Sequence, residues 1–143
     1  MQLFMGDYQI LGLYDGTIIR LAALLFLAIT FLQAGLDKAF DFKGNKAYFT
    51  SHFEKTPLAK LAGTLMPVIM LMEIISGLLA VAGIVLLLIN QEDAKTGMYA
   101  ATVSMLTLLC LFFGQRIGKF YGEAAGIVPY MIMTFFSMWV FSA

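Results

Sequence analysis

The chain alternates long apolar segments with short polar ones. Four apolar segments lie at residues 17–38, 64–89, 98–115 and 124–142. Each approaches or exceeds the roughly 20 residues that a helix needs to cross a bilayer core of about 30 Å. They are apolar on all sides, whereas a lipid-facing strand alternates apolar with polar positions. The pattern therefore predicts an all-α fold, an integral membrane four-helix bundle that forms a single transmembrane domain over residues 1–143.

The composition agrees with a membrane protein. Hydrophobic residues make up 61% of the chain and charged residues 13%, whereas soluble domains are about half apolar and a quarter charged. The longest connection between predicted spans, residues 39–63, mixes aromatic with basic side chains. We expect it to lie in the membrane interface as a short amphipathic element.

Basic residues are concentrated on one side of the predicted bundle. The connections 39–63 and 116–123 share that side with the end of the first span. Its basic residues are Lys38, Lys43, Lys46, Lys55, Lys60, Arg116 and Lys119, whereas the other side has Arg20 and Lys95. The positive-inside rule predicts that the basic side is cytoplasmic and that both termini are non-cytoplasmic. We expect Arg20 and the basic residues at helix ends to extend to lipid headgroups.

The second span carries one ionisable residue, Glu73. A charged side chain within the membrane is costly and indicates either function or a buried partner. At helical spacing Glu73 shares a face with Ser76 and Gly77, and small residues allow a neighbouring helix to approach closely. We predict that Gly35, Ser76, Gly77 and Gly83 are helix-packing positions, and that Glu73 faces another helix.

Polar residues from all four spans are predicted to gather in the leaflet of Glu73. Glu73 lies roughly 9 residues, or about 14 Å, into its span from the basic side. Gln33, Lys38, Arg116 and Tyr130 lie on the same side, whereas the opposite leaflet is nearly all apolar. These five residues form the predicted intramembrane polar cluster or ligand-binding site. Two interpretations of Glu73 remain open: a proton-linked or headgroup-binding carboxylate, or a packing partner for Lys38, Arg116 or a tyrosine hydroxyl.

The sequence offers few residues for catalysis or for metal binding. Cys110 is the only cysteine, His52 is the only histidine, and the ten methionines are scattered through the chain. No phosphate-binding glycine motif is present, and His52 would be the only base for a hydrolytic Ser/His/Asp set. We therefore predict no catalytic residue, no metal and no nucleic-acid partner. We expect Cys110 to be a buried apolar residue and His52 to be an ordinary surface residue.

The first two spans contain several short motifs: Arg20 opens the first span, Gly35 and Lys38 lie at its end, and Glu73, Gly77 and Gly83 lie in the second span. These motifs resemble those of the DoxX-like family of small four-helix membrane proteins. The resemblance covers roughly residues 17–140. It implies a multi-pass protein of a prokaryotic cytoplasmic (inner) membrane. Members of the family include accessory or quinone-linked subunits, among them the membrane part of a thiosulfate:quinone oxidoreductase.

Three functional hypotheses follow from the residues and from the resemblance. The first is a non-catalytic accessory subunit of a larger membrane complex of respiratory or secretion type. The alternative is a quinone- or lipid-binding component of a membrane oxidoreductase, and the third is a small proton-coupled exporter. The expected partners are membrane lipids and other membrane-protein subunits. No cofactor is predicted other than a quinone or lipid bound at the polar cluster.

Overall fold

The computed structural model describes residues 8–142, which form an all-helical bundle preceded by a small hairpin. The elements are β1 (Gln9–Ile10), β2 (Leu13–Tyr14), α1 (Asp15–Phe40), α2 (Phe42–His52), α3 (Ala62–Ile89), α4 (Lys95–Ile117) and α5 (Tyr121–Ser142). Four of the helices, α1, α3, α4 and α5, are long and apolar enough to cross a membrane. The predicted fold class of a helical membrane bundle is confirmed, and the chain is a multi-pass membrane protein.

The spanning helices pack in the order α1, α3, α4, α5. The contacts of α1 with α3, of α3 with α4 and of α4 with α5 are extensive, whereas α1 and α5 meet over a smaller area. Leu24, Leu27, Phe31, Ala80 and Leu108 lie in the hydrophobic core. The small α1–α5 contact leaves one side of the bundle less tightly closed than the others.

Glycines hold α1 and α3 at short distance. A side-chain carbon added to Gly77 would lie 2.5 Å from Cγ and 2.8 Å from the backbone nitrogen of Leu32. One added to Gly35 would lie 2.7 Å from the side chain of Ile74 and 3.2 Å from Cβ of Glu73. Because such distances are too short for real carbon atoms, only glycine permits this helix contact. The predicted packing role of both glycines agrees with these positions.

The connection between the first two spans contains the short helix α2. Asp41 caps its start by accepting a hydrogen bond of 3.1 Å from the backbone N–H of Gly44. At its end, a hydrogen bond of 3.2 Å joins His52 Nε2 to the side-chain oxygen of Gln115, and the His52 ring stacks on Phe120 at 4.0 Å. The expectation that His52 is an ordinary surface residue is therefore wrong, because its ring attaches α2 to the end of α4.

The two ends of the bundle are closed by different structures. We call the end with residues 41–61 and 118–120 the α2 end, and the end with the hairpin and residues 90–94 the hairpin end. At the hairpin end, the Gln91 side chain accepts a hydrogen bond from the N–H of Tyr14 and donates one to the carbonyl of Gly12, both at 3.1 Å. These bonds attach the hairpin to the connection between α3 and α4.

The close approach of α1 and α3 makes the bundle sensitive to the size of residue 77. We expect Gly77→Ala to lower the free energy of unfolding by about 1–3 kcal/mol, the usual cost of overpacking. Gly126→Ala is the matched control, since nothing lies within 4 Å of the added carbon at that position of α5. Unfolding in mixed detergent micelles measures both variants. Equal stability of the two variants would contradict the packing described here.

Candidate functional site

A cleft of about 580 Å³ lies between α1 and α5 in the half of the bundle toward the α2 end. Its lining residues are Phe26, Ile29, Thr30, Phe31, Gln33, Ala34 and Asp37 of α1, Glu73 of α3, Leu108 and Leu111 of α4, and Ile127 and Tyr130 of α5. Ile29, Gln33 and Tyr130 are exposed on the outer surface of the bundle. The cleft therefore opens sideways, toward the lipid in a membrane.

The first turns of α5 are covered on one side only. Ala124 is 1% exposed, whereas added side-chain carbons at Gly122 and Gly126 would meet no atom within 4 Å. Farther along, α5 meets α1 where the rings of Tyr130 and Phe26 stack with centroids 6.1 Å apart. This ring pair belongs to the cleft lining, and no residue of α5 before Ile127 lines the cleft.

Glu73 lies at the base of the cleft and is paired with Lys38. Glu73 is only 3% exposed. The Lys38 ammonium lies 2.8 Å from Oε2 and donates a hydrogen bond of 3.1 Å to Oε1. It also donates one of 3.3 Å to the Ala34 carbonyl. Glu73 therefore has an ionic partner on the neighbouring helix, which agrees with the packing interpretation. Its side chain is also part of the cleft lining.

The geometry of the Lys38–Glu73 pair follows from the glycines of α1. Gly35 brings the backbone of α1 against Glu73 and Ile74. Lys38 lies three residues later, so its side chain is on the same face of α1 and about one turn nearer the α2 end. This register explains why an ammonium group from α1 reaches the carboxylate on α3.

The remaining cleft surface combines apolar walls with polar side chains that make no hydrogen bond to another side chain. Phe26, Phe31 and Ile127 provide apolar surface. Within residues 8–142, neither the Gln33 amide nor the Tyr130 hydroxyl hydrogen-bonds to another side chain. An amide supplies both donors and an acceptor, and a phenol supplies one donor. An apolar pocket with a few convergent polar groups is the usual form of a small-molecule site.

The predicted polar cluster of five residues is only partly assembled. Gln33, Glu73 and Tyr130 line one cleft, and Lys38 joins them through its contact with Glu73. Arg116 does not line the cleft. Its guanidinium lies 4.6 Å from the ring centroid of Tyr121, exposed near the end of α4. The two other predicted packing residues also lie at helix contacts: Ser76 is 3.3 Å from the hydroxyl of Thr107, and Gly83 adjoins Leu24.

Two polar residues of the cleft were not singled out from the sequence. Thr30 and Asp37 line it together with Gln33. Phe26, Thr30, Gln33 and Asp37 are spaced by four, three and four residues, which is the period of one helix face. That spacing is the signal in the sequence from which this face of α1 could have been found.

Two further expectations about single residues are wrong. Cys110 is exposed on the surface of α4 and is not a buried apolar residue. Arg20 is only 1% exposed and so does not extend to lipid headgroups. Its guanidinium lies 5.6 Å from the ring centroid of Phe141. The hairpin half of the bundle is consequently not purely apolar, because it contains a buried charge.

No candidate metal centre is found in the part of the chain that the structure describes. There, no group of three or more His, Cys, Asp or Glu side chains is placed to hold an ion. Comparisons with protein-family models, with curated proteins and with solved structures found no significant match. The residues of the cleft are thus the main basis for inferring function.

Because Lys38 is the ionic partner of the buried Glu73, we expect removal of its charge to lower the free energy of unfolding substantially. We expect Lys38→Met to lower the free energy of unfolding by about 3 kcal/mol, because it leaves a buried carboxylate without its partner. The double variant Lys38→Met with Glu73→Gln should recover part of that loss. Lys43→Met, at an exposed position of α2, is the control. If Lys38→Met and Lys43→Met unfold alike, the pair contributes nothing to stability.

Proposed function

We propose that this protein is a DoxX-like membrane component that binds a quinone, or another lipid-soluble molecule with a polar head, in the cleft between α1 and α5. The observation that carries the proposal is a buried carboxylate, Glu73, at the base of a cleft whose walls are largely apolar. Gln33 and Tyr130 add polar groups that no other side chain occupies. The sequence resemblance supports the same class of ligand.

The shape of the cleft suits a molecule that arrives through the bilayer. Its volume of about 580 Å³ lies within the range of small-molecule sites. Because it opens sideways, a lipid-soluble molecule can enter by lateral diffusion without leaving the hydrocarbon. In this proposal the polar head reaches Gln33 and Tyr130, while the tail remains between the helices and the surrounding lipid.

The polar groups can bind a quinone ring and exchange protons with it. The Gln33 amide N–H and the Tyr130 hydroxyl can donate hydrogen bonds to quinone carbonyl oxygens. As the carboxylate paired with Lys38, Glu73 can take a proton from a quinol that gives up its electrons, and the resulting acid can return a proton to a reduced quinone. In this proposal the electrons pass to or from a partner protein of a membrane oxidoreductase.

Binding of a short-tailed benzoquinone to the protein in lipid nanodiscs tests this proposal. We expect Gln33→Leu and Glu73→Gln each to weaken binding about tenfold, the effect of losing one hydrogen bond of about 1.4 kcal/mol. Glu123→Gln, at an exposed position of α5 outside the cleft lining, should bind like the unchanged protein. Unchanged affinity in both cleft variants would refute the proposed site.

We also propose a role as a non-catalytic accessory subunit in a larger membrane complex of respiratory or secretion type. The observation that favours it is a group of exposed aromatic side chains on α5, where Phe135 and Trp139 are 66% and 56% exposed. Aromatic residues are enriched at protein interfaces. The basic residues near the α2 end favour a cytoplasmic position for that end, with both termini outside. The sequence resemblance favours a prokaryotic cytoplasmic membrane.

Purification from native membranes in a mild detergent tests the accessory role. We expect a partner protein to co-purify with the unchanged chain and to be lost when Phe135 and Trp139 are both replaced by leucine. Leucine keeps these positions compatible with lipid. Phe113→Leu, an exposed aromatic position on α4, is the matched control and should retain the partner. A chain that always purifies alone would argue against this role.

A further inference from the structure

A second cavity, which we call the α2 pocket, lies where α2 and the connection after it meet α3 and α4. It has a volume of about 340 Å³. Phe49 of α2 and Phe53 at its end form one wall, and Leu58 of the connection continues it. Leu111 is the one lining residue that this pocket shares with the cleft between α1 and α5. The proposed quinone site does not use the α2 pocket.

The α2 pocket is apolar and opens toward lipid. Apart from Cys110 and Gln115, its lining residues are all apolar. The side-chain oxygen of Gln115 is already engaged by His52 at 3.2 Å. Val68 and Phe113 line the pocket from two spanning helices and are 48% and 66% exposed, so the open side faces hydrocarbon in a membrane. The pocket therefore suits an apolar chain.

The length of the α2 pocket corresponds to about one leaflet of a bilayer. Its lining along α3 extends from Ala62 to Met72, a distance of about 15 Å at 1.5 Å per residue. A hydrocarbon core is about 30 Å thick, so a single leaflet contributes half of that. Ala62 is the first residue of α3, and Met72 lies near the middle of the helix. The pocket thus runs from the α2 end toward the bilayer midplane, as a lipid acyl chain does.

Basic side chains lie at the outer end of the α2 pocket. Lys55 and Lys60 are exposed on the connection whose residues Leu58 and Leu61 line the pocket. Glu54 is the only acidic residue among positions 53–61. Within residues 8–142, no ion pair engages either lysine. Lysines next to a membrane span attract anionic lipid headgroups. The outer end of the pocket therefore has the charge that complements such a headgroup.

We propose that the α2 pocket binds an acyl chain of an anionic phospholipid, whose headgroup lies at Lys55 and Lys60. The apolar lining and the length match the chain, and the lysines match the headgroup. A neutral phospholipid has the same chain without the negative net charge. A quinone tail or an apolar helix of another protein would fill the pocket without using the lysines. An anionic phospholipid is the occupant that uses both features.

The aromatic contacts of α2 hold the pocket wall in place. The His52 ring stacks on Phe120 at 4.0 Å, and the Phe53 ring meets the same Phe120 edge-on at 5.8 Å. These contacts fix the end of α2 against the end of α4. A lipid chain between α2, α3 and α4 would add apolar contacts to all three helices. The bound lipid would thereby strengthen the attachment of α2 to the bundle.

Native mass spectrometry tests the chain-binding part of the proposal. The protein is released from nanodiscs made of equal parts of phosphatidylglycerol and phosphatidylcholine, and we expect one phosphatidylglycerol to be retained preferentially. Gly114→Leu should lower lipid retention about tenfold, the effect of displacing roughly two buried methylene groups. Gly114 lines the pocket, and a carbon added there meets Leu58 only at 3.9 Å, so the larger side chain fills the space without moving the backbone. Gly126→Leu, where nothing lies within 4 Å, is the matched control.

The same measurement on charge variants tests the headgroup part. We expect Lys55→Gln and Lys60→Gln each to lower the preference for phosphatidylglycerol over phosphatidylcholine about fivefold. Lys95→Gln, an exposed position at the hairpin end, should leave the preference unchanged. Equal retention of the two lipids by the unchanged protein, or lysine variants that keep its preference, would overturn the proposal. Gly114→Leu and Gly126→Leu variants that retain lipid equally would also overturn it. No quinone is present, so these results are independent of the proposed function.

Discussion

The ion pair between Lys38 and Glu73 is the contact on which the rest of the candidate site depends. In lipid, apolar side chains gain little by leaving the surrounding hydrocarbon, so close backbone packing and polar contacts hold helices together. Gly35 and Gly77 supply the close packing of α1 on α3. The pair supplies the polar contact, and it fixes a carboxylate at the base of the cleft while keeping it out of contact with lipid.

The two ends of the bundle have complementary roles. At the hairpin end, the buried Arg20 of α1 lies over the Phe141 ring of α5, and Gln91 of the α3–α4 connection hydrogen-bonds to the hairpin. Toward the α2 end, the cleft between α1 and α5 opens to the side. A bundle with a lateral cleft in one half can admit a lipid-soluble molecule while its core packing stays intact. This asymmetry is the structural basis for the proposed binding function.

Much of the fold could be predicted from the sequence, because a bilayer requires long apolar helices and the chain has four such segments. The inward orientation of Glu73 could be predicted from the small residues on its face. Contacts between distant segments could not. The buried Arg20 guanidinium lies over the Phe141 ring of α5, and the Arg116 guanidinium lies over Tyr121 instead of lining the cleft. Neither partner is indicated by local spacing or by hydropathy.

The central claim is that α1 and α5 enclose a cleft in which a polar headgroup lies beside the Lys38–Glu73 pair. A structure determined by electron cryomicroscopy in lipid nanodiscs, with a quinone added, tests it most directly. We expect elongated density entering between α1 and α5, with its polar end within hydrogen-bond distance of Gln33 or Tyr130 and the Lys38–Glu73 ion pair intact. Helices α1 and α5 in contact along their whole length, with no cleft between them, would contradict it.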